Sequence, residues 1–96
     1  MQQFLAERRL RDVHGRLVRA REELAVLDEQ LAAVTEEAED LRLRSLVSET
    51  PLAAHEYTDA RRHLDAMTRA RSALCATVEG LERRRDELLL SIGNRR

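Results

Sequence analysis

The sequence predicts an all-α protein in which two long helices form an antiparallel coiled-coil hairpin. Charged residues make up 36% of the 96-residue chain and aromatic residues only 2%, a composition typical of long helices rather than of a thick globular core. Apolar residues recur at alternating spacings of three and four, which is a heptad pattern. A single proline interrupts this pattern. We therefore expect one helical-hairpin domain over residues 1–96.

The first predicted helix covers residues 2–47 and carries an unbroken apolar seam. Because a heptad averages about 3.5 residues per turn, slightly fewer than a free α-helix, we expect this seam to follow a left-handed supercoil. The seam consists of Leu10, Val13, Leu17, Ala20, Leu24, Leu27, Leu31, Val34, Ala38 and Leu41.

The predicted turn lies at residues 48–50. Proline disfavours helical geometry in the residue before it, which suits Thr50 as the N-cap of the next helix. Pro51 then takes the first helical position, where its missing N–H costs nothing. The second predicted helix covers residues 51–92 and is ended by Gly93 and Asn94, which both tolerate left-handed geometry. Such a short connection favours helices that fold back on each other.

Two arginines interrupt the seam of the second helix. A cation in an apolar seam lowers stability and can fix the register or the oligomeric state. We expect instead that the heads of Arg71 and Arg85 reach nearby carboxylates in the solvent. The seam consists of Tyr57, Ala60, Leu64, Met67, Arg71, Leu74, Val78, Leu81, Arg85, Leu88 and Ile92.

Two registers, one heptad apart, align the seams. The first pairs Leu41 with Tyr57 and Ala6 with Ile92, and the tight loop favours it. The second pairs Ala20 with Arg85 and Ala38 with Met67, and it places Arg21 near Glu82. Exposed ion pairs contribute only about 0.2–1 kcal/mol, so the sequence leaves the choice open.

A lone two-helix hairpin buries little apolar area for its ordering cost, so we expect a partner to cover more of it. A line of small residues on helix 2, away from the seam, allows close approach of another helix. The alternative is that alanine merely favours helix formation. The first interpretation predicts a homodimeric four-helix arrangement or a docked partner helix. The line consists of Ala66, Ala70, Ala73, Thr77 and Gly80.

A second apolar group lies near the turn. It is too dense for a solvated tip, and an exposed patch there would mark a binding site. The alternative is that these residues close the end of the hairpin. The group consists of Leu43, Leu46, Val47 and Leu52.

The charge pattern and the residue inventory argue against catalysis. The formal net charge is −1, so no strong field attracts nucleic acid or anionic lipid. Residues 22–40 are acidic and residues 61–71 mainly basic, which we expect to steer the helices together. No nucleophile–base arrangement or glycine-rich phosphate loop is present. His55, Asp59 and His63 share a helix face but converge poorly for zinc. We expect no enzyme activity, cofactor, metal or small-molecule substrate.

Location follows from the cysteine content and the apolar runs. Cys75 has no partner for an internal disulfide, and we expect it to behave as a small, half-buried apolar residue. The start of the chain is charged, unlike a signal peptide. The longest apolar runs have three residues, far below the ~20 of a membrane span. We therefore expect a cytoplasmic protein without membrane contact.

After the turn, residues 52–61 (LAAHEYTDAR) on a helical hairpin resemble the coiled-coil domain of bacterial transcript-cleavage factors. That family carries acidic residues at the hairpin tip, which hold a catalytic metal in the polymerase channel. This sequence has Glu49 there, followed by Thr50 and Pro51, and we expect no counterpart of the family's globular second domain. We do not assign the chain to the family. The resemblance implies that a hairpin of this length can insert into a larger protein complex.

The expected function is that of a non-enzymatic coiled-coil adaptor or structural protein. Its expected partner is a second copy or another helical protein. The alternative is a factor associated with nucleic acid or RNA polymerase that uses the arginine-rich end, although interspersed acids and the lack of aromatics argue against nucleic acid. This end contains Arg8, Arg9, Arg11, Arg16, Arg19, Arg83, Arg84, Arg85, Arg95 and Arg96.

Overall fold

The computed structural model describes residues 2–94, with side chains from Phe4 onward, and within that range it contains two long helices and no strand. Helix α1 spans Gln2–Ser48 and helix α2 spans Pro51–Gly93. They pack against each other as a helical hairpin, which confirms the predicted fold class. Both helices extend one residue beyond their predicted ends. No helix in the described range has the length and apolar content needed to cross a bilayer.

The turn confirms the predicted helix start. The backbone N–H of Ala53 donates a hydrogen bond to Thr50 Oγ1 (3.2 Å), so Thr50 is the N-cap and Pro51 takes the first helical position. Helix α1 ends differently from a glycine-capped helix. Glu49 has φ of 53°, and its N–H donates to the carbonyl oxygen of Ser45 (3.2 Å). Glu49 therefore provides the left-handed residue that reverses the chain.

Helix α2 ends one residue beyond its predicted end, and its last glycine is not left-handed. Among the described residues no glycine has a positive φ, so Gly93 does not use its left-handed freedom. The N–H of Asn94 donates to the carbonyl oxygen of Leu90 (2.9 Å), which extends the helical bonding by one residue.

The chain divides into two compact units. The end unit comprises Met1–Leu24 and Ala73–Arg96, and the turn unit comprises Ala25–Ser72. In the end unit Leu17 is only 1% exposed, and burying such a side chain contributes roughly 1.5–3 kcal/mol. Leu10, Leu24 and Leu74 pack around this core from partly buried positions. The buried cluster consists of Val13, Leu17, Ala20, Val78, Leu81 and Leu88.

The turn unit has a thinner core. Ala38 is its one fully buried hydrophobic residue among those described, at 4% exposure. The larger seam residues of this unit are all half-buried, because two helices leave both sides of the seam open to water. They are Leu27, Leu31, Val34, Leu41, Tyr57, Leu64 and Met67.

Contacts within each unit match the first register, which the tight loop favoured. In the turn unit Arg71 forms an ion pair with Asp28, next to Leu27, which this register places opposite Arg71. The second register would place Arg71 opposite Val34, about 10 Å farther along the axis. In the end unit Ala20 shares a shallow groove with Leu74, Thr77 and Leu81, rather than facing Arg85.

The ion pair that suggested the second register is nevertheless present. Arg21 Nη2 lies 3.2 Å from Glu82 Oε2, and both side chains are exposed. The pair forms in the first register because the long arginine side chain reaches along the helix. It therefore does not discriminate between the two alignments.

Candidate interaction surfaces

The tip patch, defined as Leu43, Leu46, Val47 and Leu52, is open to solvent. Leu46 is 61% exposed, Val47 85% and Leu52 67%. These residues do not close the end of the hairpin, so that alternative is wrong. Leu43, Leu46 and Val47 are spaced as neighbours on one face of the last turns of α1. The structure thus leaves an apolar surface uncovered beside the turn.

The small-residue face is also uncovered in each unit. Ala66 and Ala70 are exposed in the turn unit, and Ala73 and Thr77 are exposed in the end unit, where Gly80 is half-buried. A Cβ at position 80 would meet only the end of the Arg83 side chain, at 3.8 Å. Packing within the chain therefore does not require small residues at this face, and its use by a partner stays a prediction.

Both seam arginines extend to carboxylates, as expected. The Arg71 guanidinium binds Asp28 across the two helices, and Arg85 Nε lies 3.1 Å from Asp86 Oδ1. Their stems lie on the seam while their charged heads reach solvent. The Asp28–Arg71 pair joins the acidic run to the basic stretch, in line with the expected steering of the helices.

Several acids stand on the outer side of α1 before the tip patch. Glu36, Glu39 and Asp40 are exposed. Arg42 donates two hydrogen bonds to Glu39, from Nη2 to Oε1 (2.6 Å) and from Nε to Oε2 (3.0 Å). These bonds, together with the positive charge of Arg42, lower the pKa of the Glu39 carboxyl. Glu39 is therefore an anion over the physiological range.

The end unit carries the opposite charge on α1. Arg8, Arg9, Arg11, Arg16 and Arg19 are all exposed. Arg95 and Arg96 lie outside the described residues. A shallow groove of about 340 Å³ between the helices here is lined by Leu5, Ala6, Arg9, Arg84, Glu87, Leu88 and Ser91.

Exposed apolar residues near the chain ends were not predicted as interaction sites. Phe4 is 60% exposed, Leu5 47%, Leu89 50% and Leu90 67%. The signal for Phe4 was available, because it precedes the first seam residue and does not fit the spacing of the seam. All four residues lie off the seam, so the heptad spacing that predicts the core does not select them.

Of the three residues His55, Asp59 and His63, only the first two are in contact. His55 Nε2 lies 3.2 Å from Asp59 Oδ2. No group of three or more metal-ligating side chains converges within the described part of the chain. Asp59 and His63 line a shallow groove of about 470 Å³ in the turn unit, together with Val34, Glu37, Leu41, Arg44, Glu56 and Ala60. Cys75 is half-buried in the end unit.

The chain matches no known protein family, no curated protein and no solved structure. The resemblance of residues 52–61 to transcript-cleavage factors accordingly gains no support.

Proposed function

We propose that the protein is a non-enzymatic coiled-coil adaptor or structural protein that acts by helix-mediated protein–protein interaction in the cytoplasm. The observation that carries this proposal is the exposed tip patch, with Val47 at 85% and Leu46 at 61% exposure. Contiguous apolar surface is costly to hydrate and marks interaction sites. The seam residues already pack within the hairpin, so the tip patch remains for a partner.

The small-residue face supports the same proposal, because exposed alanines on α2 offer a second surface that another helix can approach closely. Self-association into a four-helix arrangement and docking of another helical protein both use this chemistry. The proposal involves no cofactor, metal, membrane or small-molecule substrate.

The test compares a tip variant with a matched exposed-leucine control. Leu46→Glu combined with Val47→Glu should abolish the co-purification of helical partners from a native extract. Leu90→Glu changes another exposed apolar residue, in the end unit, and should leave this co-purification unchanged. The proposal fails if two results are obtained together. The wild type has a mass of 11.1 kDa even at high concentration, and every protein that co-purifies with the wild type also co-purifies with the tip variant.

The alternative role at the arginine-rich end gives a different result in solution. A phosphate-binding factor would bind labelled duplex with an affinity that falls steeply with salt. Such binding without self-association or a protein partner would favour the nucleic-acid role and replace the adaptor proposal.

A further inference from the structure

Two short strips on the outer side of α1 are complementary in spacing and charge. The basic strip, in the end unit, consists of Phe4, Arg8 and Arg11. The acidic strip, in the turn unit, consists of Glu36, Glu39 and Leu43. All six residues are exposed. Each strip covers one face of its helix segment, because its members are three or four residues apart.

The spacings match when the strips run in opposite directions. From Phe4 the basic strip proceeds by four and then three residues, and from Leu43 the acidic strip proceeds backward by four and then three. Antiparallel alignment therefore places Phe4 against Leu43, Arg8 against Glu39 and Arg11 against Glu36, over about 10 Å of helix. A shift of one turn in either direction would set a charged group against an apolar one.

The chemistry of each strip suits the other. Phe4 is 60% exposed and Leu43 49%, so their contact removes apolar surface from water on both sides. Glu39 already accepts hydrogen bonds from Arg42, but a carboxylate has about four acceptor sites and keeps some for Arg8. Residues 22–40 contain no basic residue, so the acidic strip attracts a basic surface over a distance of several ångströms.

We propose that the basic strip of one copy packs antiparallel on the acidic strip of a second copy, and that this contact builds the homodimer. Each copy carries one strip of each kind, so the contact joins the end unit of one copy to the turn unit of the other. This inference rests on the proposed function, of which it specifies the partner and the surface.

Charge reversal tests the contact directly. The end-reversed variant carries Arg8→Glu and Arg11→Glu, and the tip-reversed variant carries Glu36→Arg and Glu39→Arg. Each variant alone sets like charges against each other, so its self-association should weaken at least about tenfold relative to the wild type. An equimolar mixture pairs opposite charges again and should form a heterodimer of wild-type affinity, measured by sedimentation equilibrium.

A matched control separates this contact from the change in net charge. Arg9→Glu with Arg16→Glu makes the same change on exposed arginines outside the strip and should associate like the wild type. Far-ultraviolet circular dichroism should show equal helicity in all variants, since arginine and glutamate are both good helix formers. Recovery in the mixture itself demonstrates that both reversed variants fold.

The possible outcomes distinguish the inference from the proposed function. Recovery in the mixture supports the strip contact. Dimerisation that is unchanged in both reversed variants overturns the strip contact and leaves helix-mediated association in place. If the wild type is a monomer but still binds a helical protein through the tip patch, the strip contact is likewise overturned and helix-mediated association is retained. A wild-type monomer that retains no protein overturns both.

Discussion

Leu17→Ala should destabilise the hairpin more than any exposed substitution, because Leu17 is 1% exposed at the centre of the end-unit core. Leucine-to-alanine changes at buried sites cost about 2–5 kcal/mol, depending on how far the cavity collapses. Two helices enclose this site incompletely, so neighbouring side chains and water can fill part of the gap. We therefore expect a loss of about 2–3 kcal/mol, out of a total of roughly 5–15 kcal/mol.

The measurement is urea unfolding followed by circular dichroism at one fixed chain concentration, since self-association makes stability concentration-dependent. The matched control is Leu90→Ala in the same unit, where the leucine is 67% exposed. This control should change the free energy of unfolding by less than about 0.5 kcal/mol. Equal losses in the two variants would refute the assignment of the core to the Leu17 side of α1.

Four further outcomes are expected. Glu49→Gly should raise the free energy of unfolding by about 1 kcal/mol, because φ of 53° disfavours residues with a Cβ. Glu56→Gly, at an exposed helical position, should lower the free energy of unfolding by about the same amount. A lower free energy of unfolding in both variants would contradict the left-handed conformation of Glu49. Thr50→Ala should cost about 1 kcal/mol in thermal unfolding through loss of the N-cap, whereas Thr50→Ser should retain most of the stability. Gly80→Ala should stabilise the hairpin by up to about 1 kcal/mol, since space is available for the methyl group; weaker self-association in the same variant would show that a helix packs on the small-residue face. In a carboxyl NMR titration the pKa of Glu39 should lie below its ordinary value of 4.5. The pairing with Arg42 therefore contributes its full stabilisation above pH 4.5, and this stabilisation is lost as the pH falls through the lowered pKa. Arg42→Ala should return the pKa of Glu39 toward 4.5, and an unchanged pKa would disprove the pairing.

The seams could be predicted because periodicity is a local property of the sequence. Each apolar residue from Leu10 to Leu41 in the predicted seam is buried or half-buried. The helix start at Pro51 was equally accessible, since proline and its preceding residue restrict the backbone directly. The register required one further contact, between Asp28 and Arg71, which the structure provides.

The remaining features depend on how the chain packs in three dimensions, which local sequence patterns do not determine. Gly93 tolerates left-handed geometry but does not adopt it, whereas Glu49 has a positive φ in the short connection between the helices. The burial of Val47 depends on whether another part of the chain packs over this side chain. No rule of residue spacing predicts such packing, and Val47 is 85% exposed in the structure.

The placement of the core also affects how the chain acquires its fold. The ion pair beside the end-unit core joins Arg21 to Glu82, 61 residues apart in sequence, whereas the pair in the turn unit joins residues 43 apart. Helical turns form within about a microsecond, but closing the longer loop must precede the strongest burial. During synthesis Leu17 therefore stays exposed until Leu81 and Leu88, which complete its cluster, have left the ribosome.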